Sequence, residues 1–261
     1  MSVEMLKTTS AGDAQRSAAM SAPEWQTRLQ LAACYRMFAR RNMDDAIFTH
    51  LSARIPGSDN RFLFIPFGML FDEVTASNLM VVDFDGNAIS SDRAVNPAGW
   101  IVHKVVYQAI PDAASVMHLH TVTGTAVSAQ KCGLLPVNQF GITFHGQIAY
   151  HDYDGPGLRP EEQRNFVRNL GGRRLMFLRN HGTITNGRSI AEAFTLMHNL
   201  ERTCEIQIAA LAGGGELALP SREVIDRTVA TAQGVGDPAF SEVGFRALLR
   251  QLDRMDPSYR E

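Results

Sequence analysis

The stretch Val116-Met117-His118-Leu119-His120-Thr121 places two histidines two residues apart inside an apolar run. Side chains alternate between the two faces of a β-strand, so a strand here would point His118 and His120 the same way. Two buried imidazoles need partners, because burying an unpaired polar group costs free energy. A divalent metal ion suits two neutral imidazoles. The stretch therefore predicts a strand that carries part of a metal site.

A third histidine, His181, follows a second apolar run in Leu178-Arg179-Asn180-His181-Gly182. We hypothesise that His118, His120 and His181 are the metal ligands. The alternative is that all three are structural, with the strand pair bonded to backbone groups and His181 lying in a simple turn. Three imidazoles would leave at least one metal position open, which is the arrangement of a catalytic site.

The composition is that of an ordinary globular protein. The chain has 261 residues, 45% of them hydrophobic and 20% charged, with a formal net charge of −2. No basic tract predicts a nucleic-acid partner, and no apolar run has the length of a membrane span. The three cysteines, Cys34, Cys132 and Cys204, form no CxxC pair and favour a reducing compartment. We expect a cytoplasmic protein without nucleic-acid or membrane partners.

The pattern of apolar residues, caps and turns predicts one α/β domain with flanking segments. We expect a disordered arm over 1–22, the main domain over 23–215, and a C-terminal helical extension over 216–261. The predicted helices cover 23–41, 96–109, 123–132, 160–171, 189–212 and 240–254. The predicted strands cover 48–55, 60–66, 79–84, the stretch quoted above and 174–178, and 137–150 is expected to be extended.

An ordered set of short motifs resembles the class II aldolase/adducin family over roughly 23–215. The motifs are Pro66-x-Gly68, Val82-Asp83-x-Asp85-Gly86-Asn87, His103, Pro111-Asp112, the pair His118/His120, and Asn180-His181-Gly182. The stretch from Phe144 to His151 is similar to the adducin-like bacterial branch. The resemblance implies a three-layer α/β/α sandwich around a mixed, largely antiparallel sheet. It also implies a homotetramer with active sites near subunit contacts.

In the sugar-phosphate aldolases of this family, three histidines at the positions of His118, His120 and His181 bind zinc. The resemblance thus implies one divalent metal ion per subunit, zinc first, with Fe(II) or Mn(II) as alternatives. The implied substrate is a small carbonyl compound.

Several positions depart from the sugar-phosphate aldolases. Gly99 stands where those enzymes carry an acid/base glutamate, and Pro97 and Ala98 replace serines that help to hold the substrate phosphate. Thr49-His50 replaces a Gly-Asn pair of the phosphate loop, and Phe67 replaces a threonine. Hydroxyls and a backbone glycine suit an anion, whereas Phe67 and Pro97 do not. We therefore expect a substrate without a phosphate group.

The missing glutamate leaves the proton donor or acceptor open. We name His50, His145 and Tyr150 as candidate catalytic residues. His50 could instead be a surface strand histidine, and His145 a hydrogen-bonded loop histidine. His103, on the helix before the His-x-His strand, is expected to be structural.

Three more residues are candidates for substrate binding: Phe67 and Gly68, in a loop that departs from the family's anion loop, and Trp100, which follows Gly99. Glu201 falls on the apolar stripe of the longest predicted helix. A carboxylate there either belongs to a hydrogen-bond network or supports a ligand histidine.

Three functions remain open from the sequence. The first is a metal-dependent lyase, aldol/retro-aldol or decarboxylating, that acts through a metal-stabilised enediolate on a non-phosphorylated carbonyl substrate. The second is a non-haem iron oxygenase for an aryl-keto or hydroxy acid, although the usual iron triad has a carboxylate as its third ligand. The third is a non-catalytic assembly module like the adducin head domain.

Overall fold

A seven-stranded sheet organises the computed structural model of the protein, which describes residues 20–155, 159–231 and 238–261. The strand order is β3-β2-β1-β4-β7-β6-β5, and every neighbouring pair is antiparallel except β5 with β6. The strands are β1 His50–Arg54, β2 Arg61–Phe64, β3 Met80–Asp83, β4 Ser115–Leu119, β5 Ile148–His151, β6 Leu175–Leu178 and β7 Gly182–Gly187. The His-x-His stretch supplies the central strand β4.

Eight α-helices lie in the described residues. They are α1 Ala22–Ala39, α2 Pro97–Ala109, α3 Val122–Ser128, α4 Gln139–Thr143, α5 Pro160–Leu170, α6 Ile190–Ala212, α7 Arg222–Thr231 and α8 Pro238–Met255. Several begin at a side-chain cap, as where Ser189 accepts a hydrogen bond from the Glu192 N–H at the start of α6.

The two faces of the sheet carry separate cores because alternate strand residues point in opposite directions. On one face, Met117 and Leu119 of β4 pack against α1, α6 and α8, and Phe177 of β6 packs against α3 and α6. On the other face, Val116 and Met176 pack with α2 and α5. Helices thus cover both faces, so the predicted three-layer sandwich around a mixed, largely antiparallel sheet is confirmed.

Two local predictions were wrong. The segment 137–150 is not extended throughout, because Asn138 caps the short helix α4 before β5 begins. Strand β7 was not predicted, since its sequence Gly-Thr-Ile-Thr-Asn-Gly lacks the apolar run of a buried strand. Its polar side chains are satisfied inside the fold: Thr185 donates to the Ala193 carbonyl.

The C-terminal residues pack into the main domain. Phe245 and Leu252 of α8 and Tyr259 are buried in the same core as α1 and α6. Backbone N–H groups of Ala76 and Ser77 donate to the carbonyls of Tyr259 and Glu261. The segment predicted as an extension therefore completes one of the two cores. The predicted N-terminal arm lies outside the described residues up to residue 19.

Among the described helices, none combines the length and apolar character needed to cross a membrane.

Candidate metal centre

Three histidines converge where the end of β4 meets the start of β7. His118 is in β4, His120 directly follows that strand, and His181 directly precedes β7. Because β4 and β7 are antiparallel, with Leu119 paired to Thr183, the end of one strand lies beside the start of the other. One nitrogen from each of the three imidazoles lies within 4.8 Å of the other two. Tertiary structure thus gathers these histidines into one cluster.

The hydrogen bonds of two of these rings indicate what the cluster can bind. His118 Nδ1 lies 3.0 Å from the carbonyl oxygen of Thr183, and His120 Nδ1 lies 3.1 Å from a carboxylate oxygen of Asp45. Both partners only accept hydrogen bonds, so each Nδ1 carries a proton and the neutral ring has its lone pair on Nε2.

The two Nε2 atoms lie only 2.8 Å apart. Two facing lone pairs at this distance repel, so the two rings either share a proton or move slightly apart around a metal ion. Neutral imidazole nitrogens are preferred ligands of Zn²⁺ and related ions. The residues present therefore fit a divalent metal ion.

Burial keeps the cluster in its ligand form. Desolvation, with smaller contributions from the neighbouring histidines, holds the pKa of His118 well below its usual value. The same causes lower the pKa of His181 to about 4. Because metals compete with protons for these nitrogens, a lowered pKa leaves the lone pairs free at neutral pH.

Glu201 of α6 connects the segments that carry the ligands. Its buried carboxylate accepts hydrogen bonds from the hydroxyls of Thr121 and Thr183, the latter at 2.7 Å. Thr121 directly follows His120, and the Thr183 carbonyl is the acceptor for His118. Glu201 therefore supports the ligands through the two threonines, which combines the two roles that the sequence left open for it.

His50 lies beside the cluster, in the space that a side chain at position 99 would occupy. Its ring centroid is 5.2 Å from that of His118. A Cβ atom added at Gly99 would lie 2.7 Å from His50 Nε2 and 2.8 Å from its Cδ2. Gly99 and His50 are thus sterically complementary, since the imidazole requires the absence of a side chain there.

A buried chain of hydrogen bonds leads away from His50. Its Nδ1 lies 2.7 Å from Nε2 of His103, whose Nδ1 lies 2.6 Å from Oγ of Ser52. Ser52 Oγ in turn lies 2.8 Å from the hydroxyl of Tyr107. Burial lowers the pKa of His50 to about 3 and raises the pKa of Tyr107. His103, expected to be structural, orients the ring of His50 and connects it to this chain.

Tyr150 lies on the opposite face of the sheet from His118. The paired positions across β5, β6, β7 and β4 are Tyr150, Phe177, Thr183 and Leu119. Paired residues share a face, and Leu119 points away from the face of His118. The Tyr150 hydroxyl instead accepts a hydrogen bond from the Leu134 N–H at 3.0 Å. The candidate catalytic role of Tyr150 in this cluster is therefore corrected.

The other candidates lie outside the cluster. His145 is half-buried in the turn between α4 and β5. Phe67 is 48% exposed, and a side chain at Gly68 would meet only open space. Trp100 is buried, with its ring stacked on His103 and its Nε1–H donating to the Phe84 carbonyl. Trp100 therefore affects the site through His103 rather than by lining it.

Sequence reasoning missed Asp45 and Thr183. Asp45 lies far from His120 in the chain, in a loop before β1, and no local pattern marks its carboxylate. Thr183 was missed together with strand β7. A histidine ligand usually needs an acceptor for its second nitrogen, which predicts that such partners exist but not where they are.

The fold is that of a class II aldolase-type domain. The family model "Class II Aldolase and Adducin N-terminal domain" matches residues 29–208. The chain belongs to this family.

Individual relatives agree. A crystal structure of an aldolase II superfamily protein from Pseudomonas syringae is 43% identical, covers 95% of this chain and 100% of its own, and has a TM-score of 0.91. A Caulobacter vibrioides protein, named only provisionally as an aldolase of class 2, is 44% identical over 93% of this chain and 95% of its own. Rat α-adducin is 39% identical over 87% of this chain, which spans 33% of the adducin.

Proposed function

We propose that this protein is a cytoplasmic, metal-dependent lyase that forms or breaks a C–C bond beside a carbonyl group, by an aldol or retro-aldol reaction or by releasing a carboxylate group as CO₂, in a non-phosphorylated compound. The observation that carries the proposal is the convergence of His118, His120 and His181, with one ring nitrogen of each within 4.8 Å of the other two. Zinc is the proposed metal, since three neutral imidazoles with one open position are typical of catalytic zinc sites. Family membership supports the reaction class.

A divalent ion bound by these histidines supplies a Lewis acid that favours negative charge on a substrate oxygen. The surrounding chain orients the ligands: Thr183 and Asp45 hold the rings of His118 and His120 through their Nδ1 atoms. Holding these rings in place lets the site accept a substrate without reorganising.

His50 is the proposed proton donor and acceptor. Its Nε2 faces the space beside Gly99, while its Nδ1 is held by His103. With a pKa of about 3 the imidazole is neutral and only weakly basic in the free protein, so it would take a proton at Nε2 when negative charge develops beside it on a bound substrate, and then return it. The proton taken from a substrate stays on His50 until it is returned, and His103 Nε2 accepts the hydrogen bond from the Nδ1–H that holds the ring meanwhile. His50 thus takes the place of the glutamate that this chain lacks.

Elemental analysis of protein purified without added metal tests the metal centre. We expect about one zinc per chain in the unchanged protein and none in His118→Ala. The matched control is His198→Ala, because His198 is a half-buried histidine of α6 outside the cluster. Retention of stoichiometric metal in His118→Ala would refute the site. Iron in place of zinc would favour the oxygenase.

Deuterium exchange tests the chemistry without knowledge of the natural substrate. Dihydroxyacetone is incubated with the zinc-loaded protein in D₂O, and loss of its carbon-bound protons is followed by NMR. We expect zinc-dependent exchange that falls at least about 100-fold in His50→Asn, since a general base contributes 10²–10⁴-fold. Unchanged exchange in a zinc-containing His50→Asn protein would exclude His50 as the proton acceptor.

A second candidate function is an assembly module, which the similarity to rat α-adducin favours. An assembly module would not require a bound metal ion. A protein that purifies without metal, and whose melting temperature does not change when zinc is added, would support this function instead of the lyase.

We also propose a homotetramer in which the metal centre lies near a subunit contact. Three large apolar residues near the cluster are exposed: Phe48 by 56%, Val122 by 87% and Tyr153 by 63%. Burying such side chains against another subunit would be favourable. Light scattering coupled to size-exclusion chromatography measures the mass directly, and a monomer would refute the proposal.

A further inference from the structure

A mostly apolar cavity opens beside His181, on the face of the sheet covered by α2 and α5. Its volume is about 40 Å³. Its apolar walls are formed by Ile101, Val102, Val105, Phe166 and Leu178. His181 forms part of one wall, so the cavity begins at the proposed metal centre.

Two polar side chains in the wall, His151 and Glu162, already have hydrogen-bond partners. Both ring nitrogens of His151 are engaged, one 3.2 Å from a carboxylate oxygen of Asp154 and the other 2.9 Å from Nδ2 of Asn169. The carboxylate of Glu162 accepts hydrogen bonds from the side chain and the backbone N–H of Arg159. These bonds leave the apolar side chains to determine what enters the cavity.

The charges around the cavity disfavour an anionic ligand group there. Two carboxylates, Asp154 and Glu162, lie in the wall. The Arg179 guanidinium also contributes to the wall, but it donates to the carbonyls of Ser128 and Gln130 and packs over the ring of Tyr150. With two carboxylates and one guanidinium in the wall, the net charge of these three groups is negative and disfavours a tail that carries a carboxylate or phosphate.

The volume limits the size of the ligand group. One water-sized group needs about 10–15 Å³ measured in this way, so the cavity holds about three or four such groups. A short carbon chain matches this space, and an aromatic ring fills more than it offers. Tyr153, whose ring centroid is 6.4 Å from that of His181, stands beside the entrance.

We propose that this cavity is the subsite for a short, uncharged aliphatic tail, about three or four carbon atoms long, of the compound whose carbonyl end is bound at the three histidines. The inference rests on the proposed metal-dependent function and narrows its substrate class. Apolar walls favour each added methylene until the cavity is full.

Hydroxamic acids test the subsite because their head group chelates zinc whatever their tail. The dissociation constants of aceto-, propiono-, butyro-, octano- and benzohydroxamic acid are measured by calorimetry on the zinc-loaded protein. We expect affinity to rise about fourfold per methylene up to butyrohydroxamate, which corresponds to about 0.8 kcal/mol for each buried CH₂. The octanoyl and benzoyl compounds should bind no more tightly than butyrohydroxamate.

Two variants and a control assign the effect to the cavity. Val102→Phe should fill the cavity. Affinity should then no longer rise with chain length, while acetohydroxamate still binds with unchanged affinity. Val102→Ala should enlarge it and extend the gain to longer tails, which keeps the test decisive if the phenylalanine variant does not fold. Ile89→Phe makes a similar change at a half-exposed residue that does not line the cavity, and it should reproduce the series of the unchanged protein.

The outcomes distinguish the subsite from the metal centre. Equal affinity along the series in zinc-loaded protein would overturn the subsite and leave the metal centre standing. Tightest binding of benzohydroxamate would overturn the aliphatic assignment in favour of an aryl group. Failure to bind zinc and every hydroxamate would overturn both the subsite and the proposed function.

Discussion

The carboxyl group of Glu201 should make the metal-free protein less stable as the pH rises. Glu201 is 2% exposed, and its described hydrogen bonds come from neutral donors, the hydroxyls of Thr121 and Thr183. Burial disfavours the charged form more strongly than the two hydroxyls favour it. The pKa is therefore raised from 4.5 to about 7.

The direction of the effect follows from proton binding. Between pH 4.5 and 7 the unfolded chain releases the Glu201 proton, whereas the folded chain keeps it. The folded state binds more protons in this window, so its stability falls as the pH rises through it. A pKa of 4.5 in the unfolded chain and about 7 in the folded chain corresponds to about 3 kcal/mol in the free energy of unfolding. The protein loses this stability in full above pH 7.

Glu201→Gln isolates this contribution. Glutamine keeps the shape of the side chain but does not titrate, and any cost of its altered hydrogen bonds is the same at every pH. The free energy of unfolding is measured with urea from pH 4.5 to 8, with a chelator present. The free energy of unfolding of the variant, minus that of the parent, should rise by about 3 kcal/mol across this range. Histidine titrations affect both proteins equally and cancel.

Leu211→Ala is the control, because Leu211 is on the same helix, is partly exposed and has no titratable side chain. Its difference from the parent should stay constant with pH. A constant difference for Glu201→Gln as well would show that Glu201 is ionised at all these pH values in the folded protein. Burial would then not control the protonation of Glu201.

Two further substitutions test contacts around the metal centre. Gly99→Ala should destabilise the protein by about 1 kcal/mol in urea unfolding. The new Cβ would lie 2.7 Å from His50 Nε2, and the cost of this overpacking exceeds the gain in helix propensity. In a His50→Ala background the same change should be stabilising, and destabilisation there would contradict the steric explanation. Asp45→Asn should weaken zinc binding about 10- to 100-fold in competition with a chelating dye, since it removes the carboxylate that orients His120. Asp44→Asn, beside it in the chain, should bind zinc like the parent, and equal affinities for all three proteins would exclude a role for Asp45.

Much of the secondary structure is determined locally. The cap and the proline at the start of α1 and the long apolar stripe of α6 were sufficient to place these helices, because such signals depend on neighbouring residues only. Strand β7 could not be found in this way. Its threonines can be buried only because Glu201 and the α6 backbone accept hydrogen bonds from their hydroxyls, and those acceptors lie elsewhere in the chain.

By itself, the sequence predicted that His118 and His120 point the same way, since alternation is a property of any β-strand, although His120 lies directly after β4 and not within it. With the ordered motifs, it also determined the family and the fold. Only the tertiary structure decided which distant groups meet there: Asp45 behind His120, and His50 in the space beside Gly99.

The tertiary structure also decided which candidate residues lie away from the site. Tyr150 is only two strands from β7 in the sheet, yet it points to the other face, and Trp100 lies beneath His103 rather than beside a ligand. Spacing along the chain fixes the direction of a side chain within its own element. The register between strands and the packing of helices on the sheet fix what that side chain meets, and both depend on the whole fold.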